Sequence, residues 1–292
     1  MNRRWLETFA ISLILIASTF SVESEKRKGP IIRQVDRILV ESPDPKALFD
    51  FFAHRLKLPE AYPLTDNQGY VSGGVGAGNA NIEFYRYADS GGVSRRNTGK
   101  AQYAGIAFEP YPLADALREL TIGGISYNPP QPFIAALPDG SKGVQWTIVP
   151  LPSFSRPAMS IFLFEYSPAY LRVDIRRKQL GNRLALSNGG PLGIKSILEI
   201  VIASKNLDRE NGAWKNLLGA PTRNRYWSVG AGPSIRLIDG EEDRIEEIAF
   251  TVKSLSAAKE FLKTNQLLGP ATAKELWLDQ SKIQSLKIRL IN

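Results

Sequence analysis

Nucleophilic or metal chemistry needs side chains that can lose a proton or offer a lone pair near neutrality. This chain holds few of them: one histidine, His54, and no cysteine among 292 residues. Thiolate nucleophiles, thiolate metal sites and disulfides are excluded. A Ser–His–Asp triad would have to run through His54, which falls in a helix pattern with nothing local to orient an imidazole. A helix-surface or packing role is expected for it. The stretch GGVGAGN (73–79) has the composition of a phosphate-binding loop. Such a loop follows a strand and opens a helix whose first amides hold the phosphate. Here NANIEFYRY follows, which alternates as a strand, so a tight hairpin or bulge is expected instead. Chemistry is left to carboxylates and guanidiniums, and which of them converge depends on the elements that carry them.

Those elements repeat. VGAGNANIEFYR (75–86) returns as VGAGPSIRLIDG (229–240), and IAFEPYPLADALREL (106–120) is echoed by IAFTVKSLSAAKEFL (248–262). ILVESPDPKALFDFFAHRL (38–56) has a looser echo in IVIASKNLDRENGAWKNLL (200–218). A repeat of this length indicates a duplicated folding unit. From about residue 33 the pattern is a strand, an amphipathic helix and a meander of strands, passed through four times. Asp44 is placed to cap the first helix and Asn206 the third, with Leu48, Phe51, Phe52 and Leu56 on one face of the first.

The composition, 43% apolar and 23% charged, is that of an ordinary globular protein with room for two domains. At the N-terminus Arg3 and Arg4 precede an uncharged, largely apolar run from Thr8 to Val22. That run spans roughly 22 Å as a helix, short of the roughly 30 Å of a bilayer core. It reads as a secretory signal peptide over residues 1–24 or, alternatively, a short N-terminal anchor. An exported protein, periplasmic or secreted, is expected. The formal charge is +8, much of it in LRVDIRRKQLGNR (171–183). No aromatic interleaving or nucleic-acid module accompanies that stretch, so nucleic acid is not expected as a partner. It reads as a solvated basic linker (169–191) that an anionic envelope surface could attract peripherally.

VDRILVESPDPKALFDFFAHRLKL and GYVSGGVGAGNANIEF resemble the opening strand and helix, and the ligand-bearing strand pair, of the vicinal oxygen chelate superfamily: glyoxalases, bleomycin-resistance proteins and extradiol dioxygenases. The resemblance covers about residues 33–292. It implies an α+β fold of four βαβββ modules paired into two glyoxalase-like open-barrel domains, 33–168 and 192–292, each with an eight-stranded sheet and a concave cup. In metal-dependent members one divalent metal is held by a His near the start of a module's first strand and a Glu on its last, from two modules, leaving open positions for a chelating substrate.

Transferred to this chain, the His positions read Arg37, Gly105, Glu199 and Glu247, and the strand-end positions read Glu83, Glu165 (or Phe162 in the alternative register), Arg236 and Arg289. None is histidine. The resemblance therefore implies no metal cofactor, and neither metal-dependent glyoxalase nor dioxygenase activity. Glu199, Arg236, Glu247 and Arg289 are expected to form an ion-pair cluster at the former metal positions. The first cup, with Arg37 facing Glu83, is the better ligand pocket, and Trp146 is expected as its apolar wall. The expected function is binding of a small organic ligand through Arg37, Glu83, Trp146 and Glu165 without a transition metal. The alternative is a metal-independent lyase, isomerase or hydrolase using Glu83 or Glu165 as general base and Arg37 to stabilise an oxyanion.

Overall fold

The computed structural model describes residues 29–67, 69–87 and 99–292; the N-terminal segment expected to direct export lies outside them. β1 (Ile32–Glu41) is buried almost throughout, because it lies at the centre of a sheet covered on both faces. The chain then turns at Ser42–Asp44, where the Asp44 carboxylate accepts the Ala47 amide at 3.0 Å and Pro45 opens α1 (Pro45–Asp50). A π-helical turn (Phe51–Arg55) continues it. Leu48, Phe52 and Leu56 are 1–2% exposed, and the Phe52 ring packs on Phe84 at 4.9 Å.

The first module closes with β2 (Glu60–Asn67), β3 (Tyr70–Gly76) and β4 (Asn81–Tyr87), and the second is β5 (Gln102–Pro110), α2 (Leu113–Ile122), β6 (Gln131–Ala136), β7 (Lys142–Pro150) and β8 (Ser160–Tyr166). They join along β1–β5 into one eight-stranded sheet of order β2-β3-β4-β1-β5-β8-β7-β6.

α3 (Val173–Leu186) leads to the second pair: β9 (Ile194–Ser204), α4 (Leu207–Leu218), β10 (Tyr226–Trp227), β11 (Ser234–Asp239), β12 (Arg244–Val252), α5 (Leu255–Thr264), β13 (Leu268–Ala271), β14 (Glu275–Leu278) and β15 (Ile288–Ile291). Among the described residues this sheet has seven strands, β10-β11-β9-β12-β15-β14-β13, not the eight expected. The third module is one strand short, because the chain passes from the end of α4 at Leu218 to Tyr226 with no more than an isolated bridge between Arg223 and Tyr226.

The domains share one apolar core. Trp214 of α4, fully buried, meets Phe154 at 5.5 Å and Phe108 of β5 at 6.2 Å. The repeated VGAG turns explain their own persistence, for each is pressed against the other domain. A Cβ on Gly78 (φ +89°) would lie 2.4 Å from the Lys195 carbonyl oxygen, and one on Gly230 (φ +57°) 2.0 Å from that of Arg33. Asn79 extends the first contact, donating to the Ile197 carbonyl at 2.9 Å and accepting the Ile197 amide at 3.0 Å.

The basic segment expected to be a solvated linker is α3, a helix docked on the rim of the first cup. Leu180 packs over Gly76. Arg176 donates to the main-chain carbonyls of Glu60 and Ala61, and Arg177 pairs with Glu109 at 2.7 Å. Leu180 and Leu184, four residues apart on one face, are both buried, a spacing masked in the sequence by the arginines between and around them.

Candidate ligand-binding site

A bulge in β1 between Val35 and Arg37 brings the side chains of Asp36 and Arg37 together. The Arg37 guanidinium is the hub of the first cup. Its Nε donates to Asp36 at 2.7 Å, Nη1 to Glu83 at 3.1 Å and Nη2 to the Tyr166 hydroxyl at 2.6 Å, while the Phe164 ring lies under it at 4.1 Å. Burial alone would depress its pKa, but attraction to Tyr166, Asp36 and Glu83 outweighs that and raises it well above its ordinary value. The second Glu83 oxygen accepts from Tyr70 at 2.8 Å. Burial, followed by the Glu83 charge, lifts the Tyr70 and Tyr62 phenols, so both stay protonated. Tyr62 packs against Gly74, where a Cβ would stand 2.5 Å from its ring, and among the described residues its buried hydroxyl has no hydrogen-bond partner.

Trp146 lies on the same face, directly across the strand pair from Tyr166. Phe133 stacks on it at 4.3 Å and 8°, with Tyr170 at 5.7 Å and Phe164 at 6.0 Å. A second bulge, between Phe133 and Ile134, leaves Ile134 opposite Val144, so the outer end of the strip is apolar. Phe133 and Ile134 are about half exposed.

Glu165 does not belong to this cup. Its carboxylate accepts the Leu113 amide at 2.8 Å and so caps α2 on the opposite face of the sheet. Pairing of Gly105 with Ser160 and Ala107 with Phe162 puts Phe162 at the register that Glu83 holds in the first module. The expectation of Glu165 as ligand anchor or base is corrected by strand parity. Glu165→Ala should cost about 0.5–2 kcal/mol of stability, as the loss of a helix cap does, and leave ligand binding unchanged; denaturant titration beside a binding assay checks both. No free space opens beside Gly105, where a Cβ would meet the Ser160 carbonyl oxygen at 2.4 Å. His54 is an exposed helix residue 3.6 Å from Asp50.

In the second cup Glu199, Arg236, Glu247 and Arg289 lie together. Arg236 grips Glu199 through Nε at 3.1 Å and Nη2 at 2.9 Å. Arg289 reaches Glu199 at 2.6 Å and Glu247 at 2.7 Å, and also pairs with Glu275. Trp277 Nε1 donates to the other Glu247 oxygen at 3.2 Å. The registers are the same in both cups: Arg37 pairs with Asn81, two residues before Glu83, and Glu199 with Ser234, two residues before Arg236. Equivalent positions therefore carry one ion pair with its signs exchanged. Asp36, Tyr62, Phe133, Tyr166, Tyr170 and Glu275 were not singled out in the sequence. Alternation could have found Glu275, two residues from Trp277 on a strand.

No family model matches the chain, and no curated protein matches it. Solved structures do. A variant of homoprotocatechuate 2,3-dioxygenase from B. fuscum superposes with a TM-score of 0.57 at 11% identity, covering 92% of this chain and 73% of that one. The 2,3-dioxygenase LapB from Pseudomonas sp. KL28 gives 0.56 at 12%, covering 90% and 92%. The homoprotocatechuate 2,3-dioxygenase of Arthrobacter globiformis gives 0.56 at 11%, covering 92% and 82%. At such identity the likeness defines the fold: this is the vicinal oxygen chelate architecture of the extradiol dioxygenases, α+β, with its modules paired into two domains.

Proposed function

We propose that the protein is an exported, metal-independent binding protein for a small organic molecule held on the concave face of the first domain. One observation carries the reading: the aromatic strip Phe133–Trp146–Tyr170 reaches solvent at one end and at the other packs on Phe164 and Tyr166, which touch Arg37 of the buried Arg37–Glu83 pair. Flat rings bind a planar or apolar body, and the polar floor orients it. The unpartnered Tyr62 hydroxyl is a donor that a ligand group or a water would satisfy.

The donor set at the family's ligand positions does not fit a divalent metal. A guanidinium keeps its protons and cannot coordinate, and one lies within hydrogen-bond distance of Glu83, Glu199 and Glu247. Among the described residues no group of three or more His, Cys, Asp or Glu side chains is disposed to hold a metal ion. Glu83 is likewise poorly placed to act as a base, since Arg37 and Tyr70 occupy both its oxygens.

Thermal-shift screening of the full chain against small organic molecules tests the reading. Compounds that stabilise the wild type should lose most of that effect in Trp146→Ala and keep it in Glu165→Ala. Equal shifts in the wild type and Trp146→Ala would sink the site. A stoichiometric transition metal found by elemental analysis would sink metal independence. Export rests on Arg3, Arg4 and the apolar run to Val22; an exported chain whose mass lacks those residues is the expected result.

A further inference from the structure

Between the first turns of α3 and the rim of the first cup lies a cavity of about 20 Å³, lined by Asp36, Asn81, Tyr166, Leu171, Arg176 and Arg177 among others. That is space for one or two water-sized groups. Three of its walls hold donors in search of acceptors. The Tyr166 oxygen already accepts from Arg37, and among the described residues nothing accepts its proton. Desolvation outweighs the opposing pull of Arg37 and lifts the Tyr166 pKa, so that proton stays in place. The Asn81 side-chain amide makes no hydrogen bond to a described residue. Among the described residues Arg176 gives its guanidinium only to the uncharged carbonyls of Glu60 and Ala61.

The surrounding charges do not cancel. Arg33, Arg37, Arg176 and Arg177 face Asp36, Glu83 and Glu109 through the ion pairs Arg33–Glu109, Arg37–Asp36, Arg37–Glu83, Arg177–Asp36 and Arg177–Glu109. Among the described residues, Arg176 is the cation of this group without a carboxylate partner. Asp36 also lines the cavity, but its two oxygens point at Arg37 (2.7 Å) and Arg177 (3.8 Å).

We propose that this cavity receives the carboxylate of a small monocarboxylic acid, with Tyr166, Asn81 and Arg176 as its donors and the acid's apolar body on the Tyr170–Trp146–Phe133 strip. The proposal rests on the reading of the first domain as a binding module, and it names the ligand class. One surplus positive charge and a small cavity suit a carboxylate and disfavour a phosphate dianion. Tyr166 joins the two parts of the site, for its ring stacks on Tyr170 at 6.4 Å while its hydroxyl faces inward.

Titration calorimetry of the full chain with acetate, hexanoate, benzoate, neutral benzamide and inorganic phosphate tests it. Hexanoate or benzoate should bind saturably, more tightly than acetate, with benzamide at least about tenfold weaker than benzoate and phosphate silent, as loss of one charge-assisted hydrogen bond predicts. Asn81→Ala and Arg176→Met should each weaken the carboxylates by about tenfold. Neither side chain holds the Arg37 network, so the fold survives both changes. Binding of none of the acids, equal binding of benzoate and benzamide, or unchanged affinity in both variants would overturn the proposal. Trp146-dependent binding of uncharged compounds alone would overturn the carboxylate site and leave the binding function standing, whereas no Trp146-dependent binding at all would remove both.

Discussion

Glu199→Ala is expected to cost about 3–5 kcal/mol, the usual penalty for removing one partner of a buried ion pair. At roughly 2–4 °C per kcal/mol for a chain of this size, that is a fall of about 10 °C in Tm. Glu199 is 4% exposed and is the shared acceptor of Arg236 and Arg289. Without it, two guanidiniums face each other across the cup with only Glu247 and Glu275 on the far side of Arg289. Arg236 loses the one carboxylate it pairs with among the described residues. Arg289 keeps Glu247 and Glu275: burial depresses its pKa, and their charge and hydrogen bonds hold it above the ordinary value. Arg236→Ala should be milder, since a third of that side chain is exposed and Glu199 would keep Arg289. Replacing all four charges with apolar residues of similar size should cost less than Glu199→Ala alone, because a buried ion pair and a well-packed apolar core are close in energy. Denaturant titrations of the three variants decide the matter. A loss below about 1 kcal/mol for Glu199→Ala, the level of a surface pair, would show the cluster to be solvated.

What the sequence made legible followed from period and repeat. Helix capping by Asp44 and Asn206, the apolar face of α1 and the module order are all local signals, and the structure contains each of them. Ligand-position equivalence located Glu199, Arg236, Glu247 and Arg289, which depend on strand register alone. Glu165 failed on the same variable: one residue of register separates a side chain in the cup from one behind it, and Tyr166, its neighbour, holds the inward place. Asp36 was hidden by a bulge, a feature that breaks alternation without a local sequence mark. Tyr62 and Tyr170 were hidden by distance along the chain, since they reach the cup from an edge strand and from the turn before α3. The basic charge of α3 masked the two leucines that dock it.

The VGAG copies carry the other large expected effect. Gly230→Ala puts a methyl 2.0 Å from the Arg33 carbonyl oxygen at a residue with φ +57°. The left-handed backbone alone costs about 1–2 kcal/mol in a residue with a Cβ, and forcing a methyl into packed backbone adds about 1–3 kcal/mol. A total loss of about 2–5 kcal/mol is expected. Gly78→Ala should behave alike, its methyl meeting the Lys195 carbonyl oxygen at 2.4 Å. Both contacts cross between the domains, so the damage should appear as lost cooperativity as well as lost stability. Tryptophan fluorescence, which includes the buried Trp214 and Trp227, and far-ultraviolet circular dichroism should give one coincident transition in the wild type and separated transitions in the variants. Gly212→Ala supplies the opposite sign. It sits inside α4, where an added Cβ meets nothing within 4 Å, and should stabilise by roughly 0.5–1 kcal/mol through helix propensity alone. If Gly230→Ala and Gly212→Ala moved stability in the same direction, the repeated glycines would owe their retention to something other than the contact between the two halves of the chain.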